Sequence, residues 1–332
     1  MFNFRQMLET SGRNILVVGL NPCLDVTISV PRLETGATNY YDNYHENLGG
    51  KGSNVVRAIH ALGGSGSIFS PEFPEDGSKV SLLMQKEGIN AYLVNLPGHL
   101  RVNYKVLDVT EAHDVRMTEL NSPGMFIAEV AVRLLEREWL RQIEQDQLLV
   151  LSGSLIPGMP IDTYHSLITA QHERGGRVVL DAKGDAMKAA LAAKPDLVKP
   201  NRDELIEATG MPCDTMEGVI EAMLKLREMG ADVVLCSLGD EGAVITRGGA
   251  IYHAPAPQNR KILRLAGAGD AMAAVLACFA SRDDDLTDDE LPDVLIWAMA
   301  ASQAAISHDG LTMPSLEEAE DWVDQIEVRQ LR

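Results

Sequence analysis

A short glycine-rich turn in the C-terminal third of the chain carries the strongest chemical signal. Gly267, Ala268, Gly269 and Asp270 run directly into the apolar stretch 271–277, so the carboxylate falls in the first turn of a predicted helix. Two glycines let backbone N–H groups approach an anion closely, and the positive end of the helix dipole lies behind them. A carboxylate has a use beside an anion site if it takes the proton of an attacking hydroxyl. Asp270 is therefore a candidate general base for phosphoryl transfer, and an ordinary first-turn Asp is the alternative.

A polar segment at 21–25 follows the apolar run 15–20 and ends in Asp25. Ligands of open α/β sheets bind at the carboxyl ends of the strands, so this carboxylate is placed to accept hydrogen bonds from a polyol. An Asp in a turn also forms caps and Asx turns, and the sequence leaves both interpretations open.

A second glycine-rich turn covers residues 49–54 and leads into an apolar helical stretch. Its glycines, Gly49 and Gly50 among them, permit close backbone contact with a ligand, and Lys51 and Asn54 reach polar ligand atoms. The turn does not match the GxxxxGK[ST] pattern of a P-loop, so a helix start without any ligand remains an alternative.

Arg101, Asn103 and Lys105 alternate along a predicted strand and therefore share one face, which is cationic. A guanidinium fork suits a phosphate group. The polar segment 118–124 lies downstream of this strand. A solvated strand face is the alternative.

The segment Lys199-Pro200-Asn201 stops a predicted strand, and Glu204 follows in the first turn of a predicted helix. Asn201 and Glu204 are three residues apart, so they share a helix face and could orient a hydrated divalent ion with phosphates. A helix N-cap with a capping-box acid explains the same pair, and both interpretations can hold together.

Ser237, Gly239 and Gly242 follow the predicted strand 233–235. Small residues at a strand end suit nucleotide phosphates. A tight connection between two strands explains them equally well.

The elements that must position these residues alternate along the chain. Apolar runs that suit buried parallel strands recur at 15–20, 148–151, 178–180 and 233–235. Segments of helical period lie between them, for example at 161–174 and 216–229. This alternation predicts an α/β fold with a doubly wound, mostly parallel sheet flanked by helices. Two stretches, about 26–47 and 100–118, do not fit it, and we expect them to form a small β-strand lid.

Composition excludes several functional classes. The 332 residues carry a formal net charge of −19, which argues against nucleic acid and anionic membranes as partners. A phosphate ester would therefore need a local positive island. We find no apolar run long enough to span a bilayer and no leader, so we expect a cytoplasmic protein.

The four cysteines lack metal-site spacing and are expected to be reduced, buried thiols. Residues 1–13 form a flexible or docking extension, and 14–330 form the domain.

In this order the motifs resemble the phosphofructokinase-B branch of the ribokinase-like sugar kinases, over about residues 14–312. The matching elements are LNPxLD, GGKGxN, RxNxK, TExNxPG, SGSLxPG at 152–158, KPNxxE and GAGD. The pattern is most similar to 1-phosphofructokinases and tagatose-6-phosphate kinases, which phosphorylate an already phosphorylated ketohexose. The resemblance implies a ribokinase-like fold and an ATP- and Mg²⁺-dependent kinase that converts fructose 1-phosphate to fructose 1,6-bisphosphate.

The resemblance also implies a role for each matched residue. The residues that would bind the sugar phosphate are Asp25, Gly49, Gly50, Lys51, Asn54, Arg101, Asn103, Lys105 and Ser154. Those that would bind ATP are Lys199, Asn201, Glu204, Ser237, Gly239 and Gly242. Glu204 would also act indirectly on Mg²⁺. Asp270 would deprotonate the acceptor hydroxyl, while the amides of 267–269 stabilise the phosphoryl group in transfer.

The chain departs from the family pattern at four places. Arg264, Leu265 and Ala266 stand where some members carry residues linked to a monovalent cation. A guanidinium could replace the charge of that cation, so we predict that potassium does not activate this protein. The other departures are Ala271, Ala37 and the segment 65–77, which lacks the usual GGD-type turn. These changes affect the identity of the substrate more than the class of reaction.

Other functions fit the sequence less well. A tagatose-6-phosphate or fructose-6-phosphate kinase is the nearest alternative. A kinase of an unphosphorylated sugar or nucleoside would leave Arg101 and Lys105 unpaired under the lid. A non-catalytic regulator would not need Asp270 after the two glycines of its turn, and a nicotinamide dehydrogenase would need a GxGxxG after the first strand. Exposed edges of the lid strands are expected to pair in a homodimer.

Overall fold

The computed structural model describes residues 2–111, 114–258, 267–307 and 313–332. Its strands are β1 (Ile15–Val18), β2 (Cys23–Val30), β3 (Asn43–Gly49), β4 (Gly66–Glu72), β5 (Asn90–Asn95), β6 (Arg101–Glu111), β7 (Asp114–Leu120), β8 (Leu148–Ser152), β9 (Arg177–Asp181), β10 (Leu197–Val198), β11 (Val233–Ser237), β12 (Ala243–Arg247), β13 (Ala250–Ala254) and β14 (Arg329–Gln330). Its helices are α1 (Phe4–Glu9), α2 (Lys51–Ala61), α3 (Lys79–Lys86), α4 (Glu129–Gln142), α5 (Thr163–His172), α6 (Gly184–Leu191), α7 (Arg202–Thr209), α8 (Met216–Glu228), α9 (Ala268–Ala280), α10 (Leu291–Ser307) and α11 (Leu316–Val323).

The main sheet runs in the order β14-β13-β12-β11-β10-β9-β8-β1-β4-β5. The strands from β11 to β5 pair in parallel, and β12, β13 and β14 add antiparallel pairs at one edge. Every residue of β1 and β8 is buried, as the continuous apolar runs require when helices cover both faces of a sheet. The predicted doubly wound, mostly parallel α/β fold is confirmed.

The chain reverses direction across the sheet beside β1. From β1 it proceeds to β4 and β5 on one side, and it later returns through β8 to β11 on the other. Such a switch point leaves a crevice outside the carboxyl ends of the strands. The fold therefore provides a binding crevice where the sequence placed its polar clusters.

A separate four-stranded sheet, in the order β3-β2-β6-β7, forms the predicted β-strand lid. Its strand β2 begins at Cys23, so Asp25 lies inside a lid strand, and the interpretation of this residue as a turn or cap is wrong. Strands β2 and β6 run parallel with Asp25 opposite Asn103. The register thus brings two of the predicted sugar-binding residues side by side.

The first residues of the chain pack against the domain. Phe4 and Met7 of α1 are buried, and the Phe4 ring stacks on Trp297 with centroids 4.4 Å apart. The Phe2 ring stacks on Phe279, near the end of α9, at 5.1 Å. This segment is therefore a docked helix and not a free tail.

All four cysteines are free and buried, which agrees with the expectation of reduced thiols. Within the described ranges, none of the helices combines the length and the apolar character needed to cross a lipid bilayer.

Candidate active site

A cleft of about 1120 Å³ lies between the lid and the carboxyl ends of β1, β8, β9, β10 and β11. The predicted site residues that line it are Asp25, Gly50, Lys51, Arg101, Asn103, Lys105, Ser154, Lys199, Asn201, Ser237, Gly267, Gly269 and Asp270. Motifs from the two ends of the sequence therefore meet in one cavity. Asn54 and Glu204 do not line the cavity, but each bonds to a residue that does.

The predicted catalytic turn begins α9. Gly267 caps the helix with a left-handed φ of 96°, which an L side chain rarely adopts, and no side chain caps the helix. Among the described residues no side chain accepts from the first-turn N–H groups of Ala268 and Gly269, and the dipole of a 13-residue helix stands behind them. This arrangement favours an anion at the mouth of the turn.

Asp270 is buried at this turn, with 7% of its surface exposed. The Asn54 amide Nδ2 donates a hydrogen bond of 2.8 Å to its Oδ2. Burial raises the pKa of Asp270, and the charge of Asp181 raises it further, against the opposing effects of Asn54, Lys51 and Lys199. A carboxylate whose pKa is raised in this way is better matched to accepting a proton.

Asp181, at the end of β9, is the centre of a buried charge network that the sequence analysis missed. Its Oδ1 lies 3.1 Å from Lys51 Nζ and 3.3 Å from Lys199 Nζ, and the carboxylate is fully buried. Burial alone would raise the pKa of Asp181, but the two ammonium groups outweigh it and lower the pKa. Asp181 therefore holds two lysines close to the turn that carries Asp270.

A sequence signal for Asp181 exists. It is the polar residue that ends the apolar run of β9, at the edge of the sheet where ligands bind. The apolar run 178–180 predicts the strand, and the residue directly after this run carries the signal.

Asp25 faces the cleft from the lid. Its Oδ2 accepts from Lys105 Nζ at 2.9 Å, and its Oδ1 accepts from Asn103 Nδ2 at 3.0 Å. Burial would raise the pKa of Asp25, but the Lys105 ammonium and these hydrogen bonds outweigh it, so the pKa is lowered. A Cβ at Gly49, on the neighbouring strand, would collide with the Asp25 carboxylate, which explains the glycine.

Arg101, the predicted phosphate ligand, lines the cleft but already donates to backbone carbonyls. Its Nε and Nη2 bond to the carbonyl of Asn21 at 3.2 and 2.9 Å, and its Nη1 bonds to the carbonyl of Ser122 at 2.8 Å. The guanidinium thereby ties the lid to the end of β1. Asn21 in turn donates to the Ser154 hydroxyl at 3.1 Å, which holds that predicted residue at the cleft.

Asn201 and Glu204 form a complete capping box. The Asn201 side chain accepts from the Glu204 N–H at 2.8 Å, and the Glu204 Oε2 accepts from the Asn201 N–H at 2.9 Å. The other oxygen of Glu204 lies 3.4 Å from Lys51 Nζ. The capping interpretation is therefore correct, and both carboxylate oxygens of Glu204 already have partners.

Of the three residues predicted after the strand 233–235, the structure places one at the cleft and two outside its lining. Ser237 ends β11, lines the cleft and forms a parallel bridge with Asn201. Gly239 and Gly242 lie outside the cleft lining, in the turn that joins β11 to β12. A Cβ at Gly242 would collide with the Ala254 carbonyl, so the strand connection by itself explains this glycine.

The described residues that line the cleft do not by themselves form the positive island that the sequence analysis required. The basic ones among them are Lys51, Arg101, Lys105, Lys183 and Lys199, and the acidic ones are Asp25, Glu119, Asp181, Glu207 and Asp270. In this described part of the lining, positive and negative side chains are balanced, in a protein with a net charge of −19. Any anion bound here depends on particular donors and helix ends more than on an overall field.

The prediction about potassium depends on residues 264–266, which lie outside the described residues.

The sequence and the fold are similar to those of known carbohydrate kinases. Residues 13–319 match the family model described as pfkB family carbohydrate kinase. A 1-phosphofructokinase from Bacillus subtilis is 30% identical, with 78% of this chain and 83% of the relative covered. A 1-phosphofructokinase from Rhodobacter capsulatus is 32% identical, with 82% and 86% covered. The crystal structure of phosphofructokinase-2 from Escherichia coli in complex with potassium has a TM-score of 0.86 at 27% identity and covers 94% of this chain and 99% of that one. The chain therefore belongs to the pfkB family of carbohydrate kinases.

Proposed function

We propose that this protein transfers the γ-phosphoryl group of ATP to a ketohexose phosphate, fructose 1-phosphate, and forms fructose 1,6-bisphosphate. The observation that carries the proposal is the placement of Asp270, with its raised pKa, at the uncapped start of α9 and in the same cleft as Asp25 and the β6 side chains. The printed names of the Bacillus subtilis and Rhodobacter capsulatus relatives support this substrate.

In the proposed step the acceptor hydroxyl gives its proton to the Asp270 carboxylate, and its oxygen attacks the γ-phosphorus of ATP. The bond between that phosphorus and the bridging oxygen of ADP breaks, and ADP leaves with the electron pair. The free N–H groups at the start of α9 stabilise the charge on the transferring group. No covalent enzyme intermediate is needed, so the protein contributes position and charge.

The lid supplies the sugar site in this proposal. Asp25 stays ionised because Lys105 lowers its pKa, so it accepts hydrogen bonds from sugar hydroxyls throughout the neutral range. Arg101, Lys51, Asn103 and Ser154 are the proposed neighbours of the existing phosphate. Closure of the lid would exclude water, which competes as an acceptor.

Lys199, Asn201 and Ser237 are the proposed nucleotide contacts, since they lie at the neighbouring ends of β10 and β11. Mg²⁺ would neutralise charge on the nucleotide phosphates. One carboxylate oxygen of Glu204 accepts from the Asn201 N–H, and the other is paired with Lys51. Glu204 would therefore act on the metal through water, as is common for Mg²⁺. Among the described residues there is no cluster of three His, Cys, Asp or Glu side chains that could hold the ion alone.

The release of ADP tests this function. The protein is assayed with ATP and Mg²⁺ against fructose 1-phosphate, fructose 6-phosphate, tagatose 6-phosphate, fructose and ribose, with Asp270→Asn as the blank. Turnover with fructose 1-phosphate alone is expected. Turnover with fructose 6-phosphate or tagatose 6-phosphate alone would change the substrate but keep the reaction class. Turnover only with an unphosphorylated sugar would remove the phosphate role from Arg101, and no turnover at all would favour a regulator.

We also propose that two copies pair through their lids. Strands β3 and β7 are the edges of the lid sheet, and Tyr41, Tyr44 and Tyr104 expose 57%, 51% and 44% of their surfaces. Open strand edges with exposed aromatic side chains favour association. Light scattering with size-exclusion chromatography is expected to give twice the chain mass, and Tyr44→Glu is expected to give a monomer. A wild-type monomer would contradict this proposal.

A further inference from the structure

One basic residue of the cleft differs from the others in how its charge is used. Lys51 is paired with Asp181 and Glu204, Lys199 with Asp181, and Lys105 with Asp25. Arg101 donates to two backbone carbonyls, as described above. These four basic side chains therefore already have partners within the protein before any ligand binds.

Lys183 lines the same cleft, and its ammonium has no acceptor within hydrogen-bond or ion-pair distance among the described residues. Glu207 also lines the cleft, and its Oε1 lies 3.6 Å from the position that a Cβ on Gly184 would take, but among the described residues it makes no ion pair with Lys183. All three N–H donors of Lys183 are thus available to a ligand.

The position of Lys183 in the fold indicates which ligand it meets. It follows the end of β9 by two residues, and β9 lies directly beside β10 but two strands away from β1. At about 4.8 Å per strand, its backbone is about 5 Å from the line of β10 and about 10 Å from the line of β1. The proposed nucleotide contacts Asn201 and Ser237 follow β10 and end β11, whereas Asn21 and the lid surround the end of β1.

The local backbone adds to this placement. Lys183 is the N-cap residue of α6, and no side chain caps that helix. Gly184 has a left-handed φ of 65°, so the chain turns sharply between the strand and the helix at the cleft wall. The backbone of Lys183 and the first-turn N–H groups of α6 therefore lie at the same end of the helix.

We propose that Lys183 binds phosphate oxygens of the nucleotide and sets the affinity of the cleft for ATP, an inference that rests on the proposed kinase function. It is a binding residue for the charged tail of the nucleotide and takes no part in the proton transfer to Asp270. The other basic side chains of the described lining already bond to carboxylates or to backbone carbonyls, so the unpaired ammonium of Lys183 has a large share in the attraction of a polyanion.

The test measures nucleotide affinity without turnover. Isothermal titration with ATP, ADP and adenosine, in the presence of Mg²⁺, is carried out on the wild-type protein and on Lys183→Gln. The loss of one charged phosphate contact is expected to weaken ATP binding by about 5- to 20-fold, with adenosine unchanged. Lys183→Arg is expected to restore most of the affinity. The affinity for fructose 1-phosphate is expected to stay at the wild-type value.

Lys188→Gln is the matched control, since Lys188 lies on the same helix and is paired with Asp185 on the surface. It is expected to bind ATP like the wild type. Unchanged ATP binding by Lys183→Gln, an equal loss for adenosine, or a loss confined to fructose 1-phosphate would each overturn the assignment of Lys183. A wild-type protein that binds no ATP would overturn the kinase function as well, whereas a protein that binds ATP but phosphorylates no sugar in the panel would affect only the proposed function.

Discussion

Asp25 in the lid and Asp270 at the start of α9 both face the cleft, and their surroundings shift their pKa values in opposite directions. In the lid, Lys105 lies 2.9 Å from Asp25 and lowers its pKa. At the start of α9, burial and the nearby charge of Asp181 raise the pKa of Asp270. These opposite shifts fit the two tasks that the proposed function gives to identical groups, one to stay ionised and bind and the other to accept a proton. In this proposal the environment of a carboxylate, more than its residue type, decides its role.

Replacement of Asp270 tests the proton-accepting side of this comparison and has the largest expected effect. Asp270→Asn keeps the size of the side chain but removes the base, so kcat is expected to fall by about two to four decades. Titration calorimetry should show that the binding of ATP and fructose 1-phosphate survives. A variant that keeps more than a tenth of the wild-type kcat would refute the general-base role.

Asp181 tests whether the region around α9 depends on its buried network. Asp181→Asn leaves Lys199, only 3% exposed, without its carboxylate partner, and the free energy of unfolding is expected to fall by about 3 kcal/mol. Urea denaturation measures this loss. The control Asp185→Asn breaks a surface pair with Lys188 and is expected to cost at most about 0.5 kcal/mol. Equal effects of the two substitutions would show that the buried network contributes nothing particular.

Asp25 tests the binding side of the comparison. Asp25→Asn removes a charged acceptor from the sugar site, so KM for fructose 1-phosphate is expected to rise by about 10- to 100-fold. KM for ATP should not change, because the lid is proposed to contact only the sugar. Steady-state kinetics with each substrate varied in turn separates the two constants. A fall in kcat as large as that of Asp270→Asn, with KM unchanged, would erase the distinction between the two carboxylates.

A pH profile sharpens the comparison further, with the smallest effect. Asp270 acts as a base only when ionised, so activity is lost as the pH falls through its pKa, and the raised pKa moves this acid limb above the ordinary range of Asp. The hydrogen bond from Asn54 opposes that rise, so in Asn54→Ala the limb of kcat/KM is expected to move to higher pH.

Asn103→Ala is the control for the pH profile, because Asn103 bonds to Asp25 and not to Asp270. Its limb is expected to coincide with that of the wild type, whatever its effect on KM. If the limb shifts in Asn103→Ala and does not move in Asn54→Ala, the limb reports the ionisation of Asp25 and not of Asp270, which would contradict this prediction.

The sequence predicted the sheet and most of the cleft because both depend on local patterns. Apolar runs marked β1, β8, β9 and β11, and the motifs at their ends brought the predicted residues to one edge. The charge network of Asp181 was not predictable in this way. Its partners Lys51 and Lys199 lie 130 residues before it and 18 residues after it, and only the parallel strand order brings the three together.

Gly239 and Gly242 show a different limit of local pattern. Glycines after a strand have the same signature in a phosphate loop and in a tight strand connection. The structure places both glycines in the connection between β11 and β12, and their contact with a nucleotide stays a prediction. For Arg101 the sequence predicted the location at the cleft correctly. It could not predict that carbonyl groups of neighbouring loops accept the hydrogen bonds of the guanidinium. Local pattern predicts where a side chain lies, and the partners depend on the tertiary fold.

The buried thiols have a practical consequence for experiments on lid motion. All four cysteines are buried, and burial raises the pKa of Cys23, Cys236 and Cys278 to about 12, so little thiolate is present at neutral pH. Maleimide reagents, which react with thiolates, will therefore label the native protein slowly. A single cysteine in the exposed loop between β2 and β3, as in Ala37→Cys, could be labelled selectively with a fluorophore without removal of any native cysteine. The movement of the lid could then be followed in an otherwise unaltered enzyme.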